Sequence, residues 1–383
     1  MKQFRLAVLV TGVVGMGSAS AQSSVTLYGI IDAGVMYTNN VAKAGSTGSL
    51  FHATSGGVNG SRFGFRGAED LGGGLKAIFV LENGFNVQNG RLGQNSREFG
   101  RQAYVGLSSS DYGTVTLGRQ YDSLIDFVEP LSATAGTFGD AGFAHPFDND
   151  NLIHSVRMSN AVKYASVNDA GFKFGALYAF SNSTDFAMNR AYSFGASYGR
   201  GPLNVAAAYL QINGSDSVTN TGGAIDVAES TSNGTGGFRV GAARVRIYGA
   251  GVNYAFGPAL IGFVYTHSVY QGTSAFGSEN GTMSFDNYEL NAKFQVTRAV
   301  SLGAADTYTD GHVTNSATFG ADPKFNQISL QAVYSFSKRT DVYAEAMYQH
   351  TIGHNYVAFI NTAGGASSTS NQVAATVGMR ARF

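Results

Sequence analysis

The chain has no cysteine and no tryptophan, only 5 prolines among 383 residues, and only 13% charged side chains. Without cysteine, an exported protein cannot lean on disulfides, so its stability must come from a long hydrogen-bond ladder or a large core. The low charge argues against a soluble sheet protein, whose water-facing strand faces would carry many ionised side chains. Neither sign is in excess: Lys+Arg and Asp+Glu number 25 each, and losing Lys2 and Arg5 with a leader leaves a slight acidic surplus. Such a balance offers nothing to a nucleic-acid backbone. Long apolar runs are missing as well. Leu6 to Gly17 falls short of the roughly 20 residues a membrane-crossing helix needs, and no later run is longer.

That short run has a different reading. Lys2 and Arg5 precede it and Ala19-Ser20-Ala21 follows it, the arrangement of an export signal. Residues 1–21 are expected to be a signal peptide cleaved after Ala21, and 22–383 to be one β domain with no linker.

Glycine (51), tyrosine (20) and phenylalanine (27) are plentiful, and the mean hydropathy is −0.04 because apolar and polar residues alternate. Val25, Leu27, Gly29, Ile31, Ala33, Val35 and Tyr37 share one phase, with Thr26, Tyr28, Asp32 and Gly34 on the other. Tyr288, Leu290, Ala292 and Phe294 alternate with Glu289, Asn291 and Lys293, and Ile328, Leu330, Ala332, Tyr334 and Phe336 with Gln327, Ser329 and Gln331. Period two is the strand signal. About sixteen such segments can be read, each near the length of a tilted membrane strand. Their connections alternate between tight turns, such as Asn168 to Gly171 and Phe256-Gly257-Pro258, and long polar stretches, such as Thr38 to Gly60, Asn213 to Ala242, Gln271 to Met283 and Asp310 to Lys324. Short turns on one rim and long loops on the other describe an outer-membrane barrel, closed because lipid cannot satisfy a free sheet edge. The last segment alternates to its end and stops on Phe383.

Particular stretches sharpen this reading: Ser24-Val25-Thr26-Leu27-Tyr28-Gly29, Ser61 to Leu75, Gln102 to Leu107, Gly113 to Tyr121, and Ser337 to Tyr343. With these the mature chain resembles the trimeric general porins of Gram-negative bacteria, in their betaproteobacterial branch. The resemblance implies a sixteen-stranded antiparallel transmembrane β-barrel whose third long loop, here Tyr121 to Ser155, folds into the lumen. It implies a homotrimer in the outer membrane that passes small hydrophilic solutes and ions through a water-filled pore. A terminal Phe383 resembles the signal read by the β-barrel assembly machinery. Lipopolysaccharide and divalent cations at the loop rim are expected partners; no cofactor, metal or nucleic acid is expected.

Parity assigns the pore-lining charges. Arg62, Arg101 and Arg157 fall on the lumen phase and match the family's wall arginines, and Glu82 matches its wall acid. The loop carries Asp122, Asp126, Glu129, Asp140, Asp148 and Asp150. Its tip departs from the family's Pro-Glu-Phe-Gly, reading Ala135-Gly136-Thr137-Phe138-Gly139-Asp140. Asp140 is therefore the first choice to face the arginines, followed by Glu129 and Asp126. Arg119 shares the outward phase of Val115 and Leu117, where lipid exposure would cost roughly 2–4 kcal/mol at the midplane. It is expected at a subunit interface. Asp306 is outward too, at the headgroup rim or in the interface.

Catalytic signals are weak. Gly195-Ala196-Ser197-Tyr198-Gly199 fits a G-x-S-x-G string, but that motif needs a strand-to-helix elbow, and here a strand runs into a Gly-Pro turn. His350 and His354 have helical spacing in a strand or loop, which gathers no zinc. The alternatives to a general channel are a barrel lipase or protease and a solute-specific channel, because one fold hosts all three.

Overall fold

A computed structural model describes residues 24–43, 46–134, 141–226 and 241–383. The expected signal peptide lies outside these residues. The chain is a single antiparallel sheet closed on itself. Strand β1 is Ser24–Lys43; β2 runs in two pieces, Ser46–Ser55 and Arg62–Gly72; β3 is Leu75–Gly84, β4 Gln102–Ser109, β5 Gly113–Gln120, β6 Met158–Ala165 and β7 Phe172–Ala179. There follow β8 Arg190–Arg200, β9 Leu203–Asn213, β10 Ala242–Phe256, β11 Ala259–Thr273, β12 Gly281–Gln295, β13 Val300–Val313, β14 Lys324–Ser335, β15 Thr340–Ile352 and β16 Asn371–Arg382. Both pieces of β2 pair with β1, so the barrel has sixteen strands. Each strand pairs with its sequence neighbours, and β16 returns to β1 from Ile30↔Arg382 to Thr38↔Ala374. Gly29 and Phe383 exchange backbone hydrogen bonds at 3.2 and 3.1 Å, so the terminal residue completes the seam.

Closure follows from the solvent. Hydrocarbon offers no partner to a free N–H or C=O, so the sheet must consume its own edges. Side chains then divide by parity. On β12 Leu290 is 58% exposed whereas Glu289 and Asn291 are 0% and 1% exposed, which puts apolar side chains toward lipid and polar ones toward the lumen. Tyr248, Tyr265, Tyr288 and Tyr308 stand side by side on the outer surface with ring centroids 5.2–6.5 Å apart, an aromatic girdle at one rim.

Two expected loops are shorter than alternation suggested. Thr38 to Gly60 is mostly strand, since β1 continues to Lys43 and β2 returns from Ser46; Gln271 to Met283 is strand except for residues 274–280. These extensions rise past the apolar band, where the hydrophobic half of the pattern is not needed. The interruption of β2 at residues 56–61 bulges into the lumen. Asp32 holds it there by accepting the backbone N–H groups of Val58 (3.1 Å) and Asn59 (2.8 Å).

Candidate functional site

The connection after β5 turns inward because the wall opposite has been stripped of side chains. Gly175, Gly195, Gly249 and Gly251, with Ala206 and Ala208, leave a shallow trough on the lumen face. Into it go Leu124, Phe127, Val128 and Leu131 from two short helical turns, Leu124–Val128 and Glu129–Leu131. A Cβ on Gly195 would lie 2.6 Å from the Phe127 ring, and one on Gly251 3.1 Å from Leu131. Leu124 and Val128 are wholly buried. Each such side chain contributes roughly 1.5–3 kcal/mol, enough to hold this part of the loop on the wall.

The second half of the loop is fixed by polar contacts. The Asp148 carboxylate accepts the backbone N–H groups of Ile153 and Ser155, and Asp122 accepts those of Leu124 and the Asn151 amide. The Asn149 amide donates to Asn287, and Ser268 donates to Asn149. His145 lies between two carboxylates, with Nδ1 2.5 Å from Asp150 and Nε2 in ionic contact with Glu289 at 3.2 Å. All three side chains are fully buried. Burial disfavours a charged imidazole, but the two carboxylates outweigh it and push His145 up to about 10. Glu289 also accepts the Ala133 backbone N–H at 2.8 Å, and Thr266 donates to Asp150 at 2.5 Å. The loop is thus pinned to β11 and β12 through an imidazolium.

Across the remaining gap stands the basic wall. Arg101 Nε donates to Glu82 at 2.7 Å, and Tyr28 donates to the other Glu82 oxygen at 3.1 Å. Arg157 lies over the Tyr121 ring at 5.7 Å, and Tyr121 in turn stacks on His154 at 5.2 Å. Burial, then Arg101, Arg157 and Arg62, hold His154 well below the usual imidazole range, so it faces the arginines neutral. Glu129 is the loop acid that feels Arg101 and Arg62, but burial dominates and raises it to about 8.

Arg62, Arg101, Glu82 and Glu129 lie within reach of one another, and Arg157 joins them beside Tyr121 and His154. Asp126 does not join them: its carboxylate pairs with Lys163 on β6, which is on the lumen face directly beneath the loop. Asp140 lies outside the described residues. Arg119 is 8% exposed and covered by its own chain, donating to the Gly100 carbonyl and the Ser159 hydroxyl, each at 2.8 Å, at a bulge between β5 and β6. Lipid exposure, the premise for seeking it a subunit partner, does not arise. Asp306 is exposed on the outer face, hydrogen-bonded to Asn326 at 3.0 Å. Ser197 sits inside β8 with no elbow. Sequence reading missed Lys163, whose lumen parity could have revealed it, and the His145 clamp, which no periodicity marks.

A barrel of sixteen strands with a loop laid across its lumen can be compared with known proteins. A family model described as Gram-negative porin matches residues 6–354. The chain belongs to the Gram-negative porins. An outer membrane porin protein of Bordetella pertussis is 31% identical, with 96% of each chain covered, and outer membrane porin protein 32 of Delftia acidovorans is 30% identical with the same coverage. Among solved structures, an anion-selective porin from Comamonas acidovorans superposes with a TM-score of 0.73 at 25% identity, covering 94% of this chain and all of that one. This porin is accordingly an outer-membrane diffusion channel for small hydrophilic solutes.

Proposed function

We propose that this porin favours anions, and that Arg62, Arg101 and Arg157 on the wall, set against Glu82 and Glu129, form its selecting constriction. The observation that carries the reading is the fate of the loop acids. Among the described loop acids, Asp122 and Asp148 are buried and held by backbone N–H groups away from the arginines, Asp126 pairs with Lys163 and Asp150 with His145. Among the described residues, three guanidiniums then face one wall carboxylate already bound to Arg101 and one loop carboxylate that burial keeps largely protonated at neutral pH. A surplus of fixed positive charge in a narrow, low-dielectric passage concentrates anions and repels cations. Guanidiniums suit the role because they remain charged at every physiological pH. The anion-selective porin from Comamonas acidovorans, similar over 94% of this chain, supports the same sign.

The channel works as a homotrimer in this reading, while Arg119 braces the base of residues 85–101 within its own chain. Phe383 at the seam serves the assembly machinery, and lipopolysaccharide meets the outer loop rim. A barrel hydrolase is not favoured, since Ser197 has neither an elbow nor a helix behind it. The test is the zero-current potential across a planar bilayer in a KCl gradient. Anion preference is expected in wild type, and Arg62→Gln and Arg157→Gln should each move the potential toward the cation side. A cation preference that neither substitution alters overturns the reading.

A further inference from the structure

Below the constriction, the lumen face near the turns of residues 296–299 and 336–339 holds a cleft of about 700 Å³. Five cations line it, Lys293, Arg298, Lys338, Arg380 and Arg382, against the single carboxylate of Asp341. That carboxylate is already spoken for. Arg380 Nε reaches it at 3.0 Å and Arg382 at 2.7 Å. The acids behind the cleft are engaged too: Asp32 accepts the Tyr343 hydroxyl at 2.7 Å and two backbone N–H groups, and Glu345 accepts the Gln331 amide at 2.6 Å. Lys293 is half-buried on β12 and lines the cleft together with Arg380.

Like charges gathered at a half-buried wall repel one another unless something negative visits them. The cleft is also continuous with the constriction. The β2 bulge bridges the two, since Asn59 accepts from Arg380 at 2.5 Å while a Cβ on the adjacent Gly60 would stand 3.3 Å from Arg101.

We propose that this cleft is a second anion site, at the periplasmic mouth, for small multivalent oxyanions such as pyrophosphate and tripolyphosphate. Two exposed turn cations, Arg298 and Lys338, collect the ligand, and Lys293 and Arg380 hold its charge on the path to the constriction. A single chloride cannot span these groups; a chain of two or three phosphates can. Because the cleft lies at the end of the lumen carrying the short turns, the channel is sided: a polyphosphate added from the periplasmic side meets the cleft first, whereas one added from the loop side meets the inserted loop.

The proposal shares the charge sign of the constriction reading but not its residues, so the two can fail separately. Purified porin is inserted from one chamber into a planar bilayer at low salt, with orientation assigned by a single cysteine on an outer loop, and tripolyphosphate is titrated on either side. Half-block is expected at a concentration on the order of tenfold lower from the periplasmic side, the lower end of the enrichment a focused charge cluster gives. The double variant Arg298→Gln, Lys338→Gln, whose positions are exposed turn residues outside the wall, should erase the sidedness, as should raising the salt. Arg62→Gln should leave the sidedness in place while shifting the zero-current potential. Equal block from both sides in wild type overturns the proposal. So does sidedness that survives the double variant, or that Arg62→Gln abolishes.

Discussion

Replacing His145 with Gln probes the clamp that holds the far half of the inserted loop. The imidazolium sits between Asp150 at 2.5 Å and Glu289 at 3.2 Å, with all three side chains buried. Removing it strands two carboxylates that keep neutral donors: Thr266 and the Leu152 N–H for Asp150, and Asn291 and the Ala133 N–H for Glu289. Stripping one partner from a buried ion pair costs about 3–5 kcal/mol, or roughly two to three and a half powers of ten in the docking equilibrium. A Coulomb estimate agrees, at about 4 kcal/mol for charges 4 Å apart with an effective dielectric constant of 20. The apolar half of the loop loses nothing, because Leu124, Val128 and Leu131 each keep roughly 1.5–3 kcal/mol of burial. His145→Gln should therefore loosen residues 141–150 while the loop stays inside. In single-channel recordings the open state should become noisy, with brief steps to other conductances, and Glu289→Gln added to the variant should quieten it by removing one stranded charge. pH gives the same perturbation without mutation. The folded pKa of about 10 exceeds the imidazole's usual 6.5, so the clamp is fully present below pH 6.5 and is lost as pH rises through about 10. Wild-type noise should accordingly rise near pH 10. A quiet channel in His145→Gln and in wild type at pH 11 would refute the clamp.

Three further outcomes follow from the geometry. Glu129, raised by burial to about 8, is neutral below that pH and ionised above it, so anion preference should decline as pH passes through about 8 and the decline should vanish in Glu129→Gln, read from zero-current potentials. A side chain at Gly195 collides with Phe127, so Gly195→Leu should push the first helical turn toward the pore axis and lower single-channel conductance, while an unchanged conductance would mean the turn is not seated in that trough. Arg119→Ala removes the hydrogen bonds to the Gly100 and Arg157 carbonyls and the Ser159 hydroxyl and should loosen residues 85–101, read as faster proteolytic cleavage there; cleavage as slow as in wild type would deny Arg119 that bracing role.

The wall was legible because its cause is periodic. Leu290 and Glu289 differ in environment because successive strand side chains face opposite solvents, and that difference is written into neighbouring letters. Arg62, Arg101 and Glu82 inherit their lumen position from the same rule. Thr38 to Gly60 misled because, above the lipid, nothing requires an apolar phase, so Ser46–Ser55 reads as loop while pairing as strand. The inserted loop was legible only in its acidity and length. Which acid does what depends on contacts far apart in the chain, such as Asp126 with Lys163 and His145 with Glu289, and no local pattern encodes those.

The constriction depends on residues 121–134 and 141–157 lying inside the cylinder. The chain has no cysteine, so Pro130→Cys, at an exposed position on the second helical turn, provides a unique thiol. Adding a charged thiol reagent during single-channel recording should lower the conductance in discrete steps, one for each pore modified. Complete modification by mass spectrometry with no change in current would put the loop outside the pore and contradict the account.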